Sequence, residues 1–287
     1  MLTFWKYHGL GNDFVMFDGR DASTSPLRRL TPKIIQALCD RHTGVGADGV
    51  IVAGRASDDR YRMTYFNADG NPAEMCGNGL RCTVALLRDL GNDITRIIEI
   101  ETGDSTILAQ ALPDGLVRNT MPSPRFRGIK GIPSPTNPKL ITTINFEDRQ
   151  FGGVIVSIGN PHFVVPEKIT VDELLKWGPR IENHSEFPER TNVQFVEFLD
   201  RKTIQIQVWE RGVGRTLACG SGATASAVTA VALGKVNAGQ DIAVRMDGGT
   251  LSINVSPDFR EIWLQGPAQS VFKGELTQEG GWHGLVP

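Results

Sequence analysis

Short apolar runs of strand length recur along this chain and are broken by a few segments of helical period. The first half opens on the strand-like run "TFWKYHGLGNDFVMFDG", followed by a helical "TPKIIQALCDR" and two further strands in "DGVIVAG" and "RYRMTYFNADG". Leu80, Val84 and Leu87 lie at helical spacing behind Cys76, and Gly91-Asn92 supplies the stop, so a helix is predicted there. Strands in "RIIEIETG" and "STILAQAL" complete a pattern of α+β type. The segment "MPSPRFRGIKGIPSPTNPK" then concentrates proline and glycine so heavily that neither a helix nor a central strand can persist. It marks a crossing between two domains.

The second half repeats the first. Gly11-Asn12-Asp13-Phe14-Val15 is echoed by Gly159-Asn160-Pro161-His162-Phe163-Val164, "ADGVIVAG" by "RTNVQFVEF", and Cys76-Gly77-Asn78-Gly79 by Cys219-Gly220-Ser221-Gly222. The second cysteine turn again opens a helix, "ATASAVTAVAL", which Gly234 stops. Asn12 precedes Cys76 by 64 residues and Asn160 precedes Cys219 by 59, so three ordered pairs recur at similar spacing. Two similar domains about a pseudo-twofold axis would bring the two cysteines towards one another.

Composition narrows the class. The 287 residues suffice for two domains, and a net charge of −2 offers no basic surplus for nucleic acid or an anionic membrane, so a small molecule is the expected partner. No apolar window of membrane-spanning length appears, and the opening "MLTFWKYHGLGNDF" lacks the form of a secretory signal, which points to the cytosol. Cys39, Cys76, Cys82 and Cys219 form no C-x-x-C pair, which argues against a disulfide framework or a structural zinc site; reduced thiols and no metal are expected.

A core cysteine does not require adjacent glycines. Each cysteine turn instead sets a thiol ahead of helix N–H groups that lack intrahelical partners and carry the positive end of the helix dipole. Such a place binds a carboxylate and is expected to lower a thiol pKa to roughly 3.5–7.5. If both turns held one carboxylate, the sulfurs would flank the carbon attached to it. A base on one side and an acid on the other can invert that centre without a cofactor. Cys39, on the face of "IIQALCDR", and Cys82, whose counterpart is Ala225, read as packing residues.

The stretches "KYHGLGNDFV", "RHTGVGADG", "FNADGNPAEMCGNGLRC", "IGNPHFVV", "ERTNVQFV" and "WERGVGRTLACGSGA" resemble, in order and over nearly the whole chain, the diaminopimelate epimerase family. The resemblance implies a pyridoxal-independent isomerase that interconverts LL- and meso-2,6-diaminopimelate in lysine and peptidoglycan-precursor synthesis, commonly as a homodimer. It implies two domains, 1–120 completed by 268–287 and 121–267, each a β-barrel-like sheet around a central helix. By motif, Cys76 and Cys219 match the acid/base pair, and Gly77-Asn78 and Gly220-Ser221 the carboxylate-binding turns. Asn12, Asn67, Asn160 and Asn192 match the amides that hold substrate, with Glu210-Arg211 beside the second cysteine. His162 and Glu210 match auxiliary catalytic residues.

These residue types suit the task. Asparagine meets an ammonium and a carboxylate without adding charge, and the fork of Arg211 can grip both oxygens of a distal carboxylate. Taken alone, Asn67 could be a turn former and Glu210-Arg211 a solvated pair. Two positions depart from some members of the family: Gly49 stands where they carry glutamine, and Arg215 where they carry an acid. A related racemase, for example of histidine, would keep both cysteines and change only the distal pocket. A thiol hydrolase using one cysteine with His162, or an amino-acid-binding module, would leave the second turn unexplained.

Overall fold

The computed structural model describes residues 1–57, 60–73, 76–278, 280–282 and 284–286; Glu74 and Met75 of the first cysteine motif lie outside the described residues. The chain divides into two compact units, Met1–Asn119 with Gly266–Pro287, and Thr120–Gln265.

In the first unit, β1 (Leu2–Gly9) pairs antiparallel with β2 (Asn12–Gly19), which runs parallel to β3 (Gly49–Arg55); α1 (Pro32–Cys39) forms the crossover. β4 (Arg60–Asn67) lies antiparallel to β3 and to the short β5 (Pro72–Ala73). The helix α2 (Gly77–Asp89) then leads to β6 (Ile98–Thr102), parallel to β4, and to β7 (Ser105–Ala111) and β8 (Val117–Met121) as an antiparallel meander. The predicted single run from Thr3 to Gly19 is therefore a hairpin. Leu10 and Gly11 take φ of 55° and 88°, the left-handed pair of a two-residue hairpin turn.

The second unit repeats this order. β9 (Arg125–Phe126) and β10 (Thr142–Asn145) each pair antiparallel with β11 (Gln150–Ser157), and β11 pairs with β12 (Pro161–Val165). β13 (Asn192–Phe198) runs parallel to β12 beyond the crossover helix α3 (Val171–Glu182), and β14 (Thr203–Glu210) pairs antiparallel with β13 and with the short β15 (Gly214–Arg215). After α4 (Gly220–Ala232), β16 (Asp241–Met246) lies parallel to β14, followed by the meander β17 (Gly249–Val255) and β18 (Ile262–Gly266). β19 (Gln269–Leu276) returns to the first unit, antiparallel to β1, as β10 is to β11. Each unit thus has the same strand pairings in the same order, with one helix in its core and one in the crossover.

Alternation of side chains explains the central helix. Phe14 and Met16 of β2 and Ile51 of β3 pack with Leu80, Val84 and Leu87 of α2, while Val15, Phe17, Val50 and Val52 face Ile35, Leu38 and Cys39 of α1. The middles of these strands, residues 14–17 and 50–53, are apolar without alternation because both faces are covered. α2 is buried from Asn78 to Leu87, Cys82 among its core residues, and α4 is buried slightly more completely. α4 fits so close a sheath because its side chains are small. Thr224 and Ser226 return their hydroxyls to the carbonyls of Gly220 and Gly222. The glycine stops act as expected: Gly91 and Gly234 have φ of 80° and 66°.

α3 has no counterpart in the sequence-based assignment. Thr170 and Glu173 form a capping box at its start, and Gly178 lets it lie against Trp209, where a Cβ would come within 2.6 Å of the indole. Among the described residues no helix is long and apolar enough to cross a membrane.

Candidate active site

Both cysteines cap the helices of the unit cores. Cys76 stands before α2 with φ −138° and ψ 112°, and Cys219 before α4 with φ −137° and ψ 117°. Each sulfur accepts a 3.4 Å hydrogen bond from the backbone N–H three residues on, Gly79 or Gly222. Sulfur thus occupies the place where a serine or aspartate oxygen ordinarily caps a helix. A larger residue at that third position would crowd its neighbours: a Cβ on Gly79 would come within 2.7 Å of Ile51 Cδ1, and one on Gly222 within 3.1 Å of Gln194 Nε2.

Around Cys76 the polar groups are amides held by charges. The thiol donates to Asn12 Oδ1 at 3.6 Å, and Asn78 Nδ2 approaches the same oxygen at 3.4 Å. Asn12 Nδ2 donates to Asp48 Oδ2 at 2.9 Å, and Arg41 pairs with both Asp48 and Asp13. At the other end Asn78 Oδ1 accepts from Arg81 Nη2 at 2.5 Å. Asn67 is exposed at the end of β4, where its backbone N–H bonds to Asn71 O and its carbonyl accepts from Gly70 in a turn.

Around Cys219 the groups are different. Its sulfur lies 3.5 Å from Ser221 Oγ, which accepts from Asn160 Nδ2 at 3.4 Å. Asn160 Oδ1 lies 2.9 Å from His162 Nε2, and His162 Nδ1 lies 3.0 Å from Gln194 Oε1. Burial holds His162 down to about 4 from its ordinary 6.5, so the ring is neutral near pH 7. A neutral imidazole donates from one nitrogen only. Nε2–H donating to Asn160, with the Gln194 amide turned to donate through Nε2 to Nδ1, satisfies both; in the other orientation Gln194 Nε2 is buried and has no partner among the described residues.

Asn192 accepts from the backbone N–H of Arg211 at 3.0 Å and donates to Pro161 O, which fixes the start of the Glu210-Arg211 turn. Arg211 reaches Glu189 O at 3.2 Å, and Glu210 accepts from Thr216. Glu182 of α3, which the sequence did not single out, braces the same turn by accepting from Trp209 Nε1 at 2.7 Å and from Gly212 N–H at 2.8 Å.

The expected depression of the thiol pKa does not occur at Cys219. Burial is the largest influence and raises it, the carboxylate of Glu210 raises it further, and the contacts from Ser221 and Gly222 N–H offset only part. Cys39 is pushed up to about 11 and Cys82 is raised further, chiefly by burial, which fits their packing role.

A Cβ at residue 49 would come within 2.5 Å of Phe66 O and 2.6 Å of Tyr65, so the packing here admits only glycine. Arg215 pairs with Asp247 at 2.6 Å, which neutralises its charge locally. No group of three or more His, Cys, Asp or Glu that could hold a metal ion occurs among the described residues.

The family model described as diaminopimelate epimerase matches residues 4–124 and 154–271. The diaminopimelate epimerase of Nostoc punctiforme is 40% identical over 283 residues, covering 96% of this chain and 99% of that protein. That of Synechococcus sp. strain JA-3-3Ab is 42% identical over 288 residues, with 96% and 99% covered. Among solved structures, a phenazine biosynthesis protein of the PhzF family from Bacillus anthracis superposes with a TM-score of 0.68 at 18% identity, covering 96% of this chain and 99% of that one; this likeness concerns the fold alone.

Proposed function

The chain belongs to the diaminopimelate epimerase family of isomerases, and on that footing we propose that it interconverts LL- and meso-2,6-diaminopimelate through Cys76 and Cys219. The observation that carries the reading is the duplicated cap: two thiols, each with the same backbone geometry, at the head of a buried helix in two units of one topology.

In the proposed reaction one cysteine, as thiolate, takes the α-proton; the electron pair left on carbon is delocalised into the substrate carboxylate; and the other thiol delivers a proton to the opposite face. The first cysteine ends as thiol and the second as thiolate, so protons and charge balance over the turnover. This requires both sulfurs to reach one α-carbon. N–H groups of Gly77-Asn78 and Gly220-Ser221, at the heads of α2 and α4, are suited to the carboxylate and to the charge that grows on it. Asn12, Asn67, Asn160 and Asn192 offer neutral donors and acceptors to the two amino-acid ends, and Arg211 suits the distal carboxylate. Glu210 and the neutral His162 set the surroundings of Cys219. No cofactor enters the scheme, and the setting is cytosolic lysine and peptidoglycan-precursor synthesis by a homodimer.

The test is proton exchange in deuterated water. Incubated with LL-diaminopimelate, the protein should place deuterium at the α-carbon and yield the meso isomer. Deuterium in L-histidine but not in diaminopimelate would transfer the assignment to a histidine racemase, and ligand binding without exchange would end the enzymatic reading.

A further inference from the structure

Arg81 is fully buried, yet among the described residues no carboxylate pairs with it. Its guanidinium is held by neutral acceptors: Nε donates to Pro267 O and Nη1 to Gly77 O, each at 3.2 Å, and Nη2 to Asn78 Oδ1 at 2.5 Å. Gly9 makes the room, since a Cβ there would lie 3.1 Å from Nη2. A buried cation held among the described residues by neutral acceptors is costly, so its retention calls for a reason beyond packing.

The reason lies in what a guanidinium cannot do. It has donors and no acceptor, so Asn78 must turn its oxygen to Arg81 and its NH2 group away, towards Asn12. Asn12 must then offer its oxygen, which leaves its own NH2 for Asp48; an ionised carboxylate only accepts, so the far end demands the same orientation. Two amides that could each be turned over are thereby fixed from both ends. The atom left facing Cys76 is Asn12 Oδ1, an acceptor aimed at the thiol proton.

We infer that Arg81 and Asp48 are positioning residues, the two poles of a relay through Asn78 and Asn12 that directs the proton of Cys76. The inference rests on the reading of Cys76 as one of the two acid/base thiols.

The test compares wild type with Arg81→Met, Arg81→Lys and Asp48→Asn, reading kcat and KM for LL-diaminopimelate and the rate at which iodoacetamide alkylates Cys76 at fixed pH, followed by mass spectrometry with Cys219 as internal reference. Arg81→Met is expected to lower kcat about 10-fold with KM within about threefold, Arg81→Lys to recover most of that loss, and Asp48→Asn to lower kcat about threefold. Both Arg81→Met and Asp48→Asn should speed alkylation of Cys76, because a released Asn12 can turn an N–H to the sulfur and favour thiolate. Removing a nearby cation or anion without a relay would act in opposite directions, slowing the first variant and speeding the second.

Opposite signs, or unchanged rates in folded variants, overturn the inference, as does an Arg81→Lys protein as slow as Arg81→Met. If Arg81→Met does not fold, Asp48→Asn is read at low and high salt: Asp48 is exposed, so a bare charge effect on Cys76 is screened away and its loss at about 1 M salt overturns the inference, whereas an acceleration that persists supports it. If wild type itself shows no epimerisation, the proposed function fails, and the alkylation rates alone decide the relay.

Discussion

α2 and α4 are thirteen residues long, begin on a cysteine cap with backbone angles that agree within a few degrees, and are sheathed by strands in the same order. Their surroundings have nevertheless diverged. Five residues past the cap, α2 carries the buried Arg81 and α4 the buried Thr224. The amides near Cys76 are held between ionic groups, whereas those near Cys219 hang on a neutral imidazole and on Gln194, with the Glu210 carboxylate adding to the rise of the thiol pKa. The topology fixes where each sulfur sits, and a handful of neighbours decide how readily each gives up its proton.

The comparison is broken most severely by removing one sulfur. Cys76→Ala and Cys219→Ala should each lower epimerisation by about a thousandfold or more in both directions, measured by chiral chromatography; one variant near wild-type turnover would show that the halves do not share a reaction. Arg211→Lys, which keeps the charge and loses the fork, should raise KM about tenfold and change kcat far less, and an unchanged KM would free Arg211 from the substrate.

The imidazole of the second half gives a pH signature. Its pKa is lower in the fold than in the unfolded chain, so its contribution to stability is present above about pH 6.5 and is lost as pH falls towards about 4. Between pH 7 and pH 5 wild type should lose about 2 kcal/mol more than His162→Gln in denaturant unfolding. Parallel losses would mean that the His162 pKa is not lowered in the fold. The smallest effect belongs to Cys82→Ala, for which turnover should stay within twofold and stability should fall by about 1 kcal/mol; a large loss of turnover would give Cys82 a part in the chemistry.

Much of this arrangement was legible in the chain. The cysteine turns, the glycine stops at Gly91 and Gly234 and the ordered repeats are local signals, because caps and left-handed turns are set by a few adjacent residues. Other features were not. α3 carries Gly178 and Pro179, which read as helix breakers, although Thr170 and Glu173 announced its start. Leu10 holds a left-handed φ that its type does not advertise, so the first hairpin read as one run. The lowered thiol pKa expected of a helix head failed at Cys219 because burial depends on strands far along the chain. Arg81 and Glu182 look like ordinary surface charges until the sheet encloses them.

The pairing of β1 with β19 sets Leu2 opposite Leu276. During synthesis, the segment from Thr120 to Gln265 emerges in full while β1 still awaits its neighbour. The second unit can therefore close first, and until the later strand arrives the first keeps an open edge, the kind of template on which nascent chains join one another.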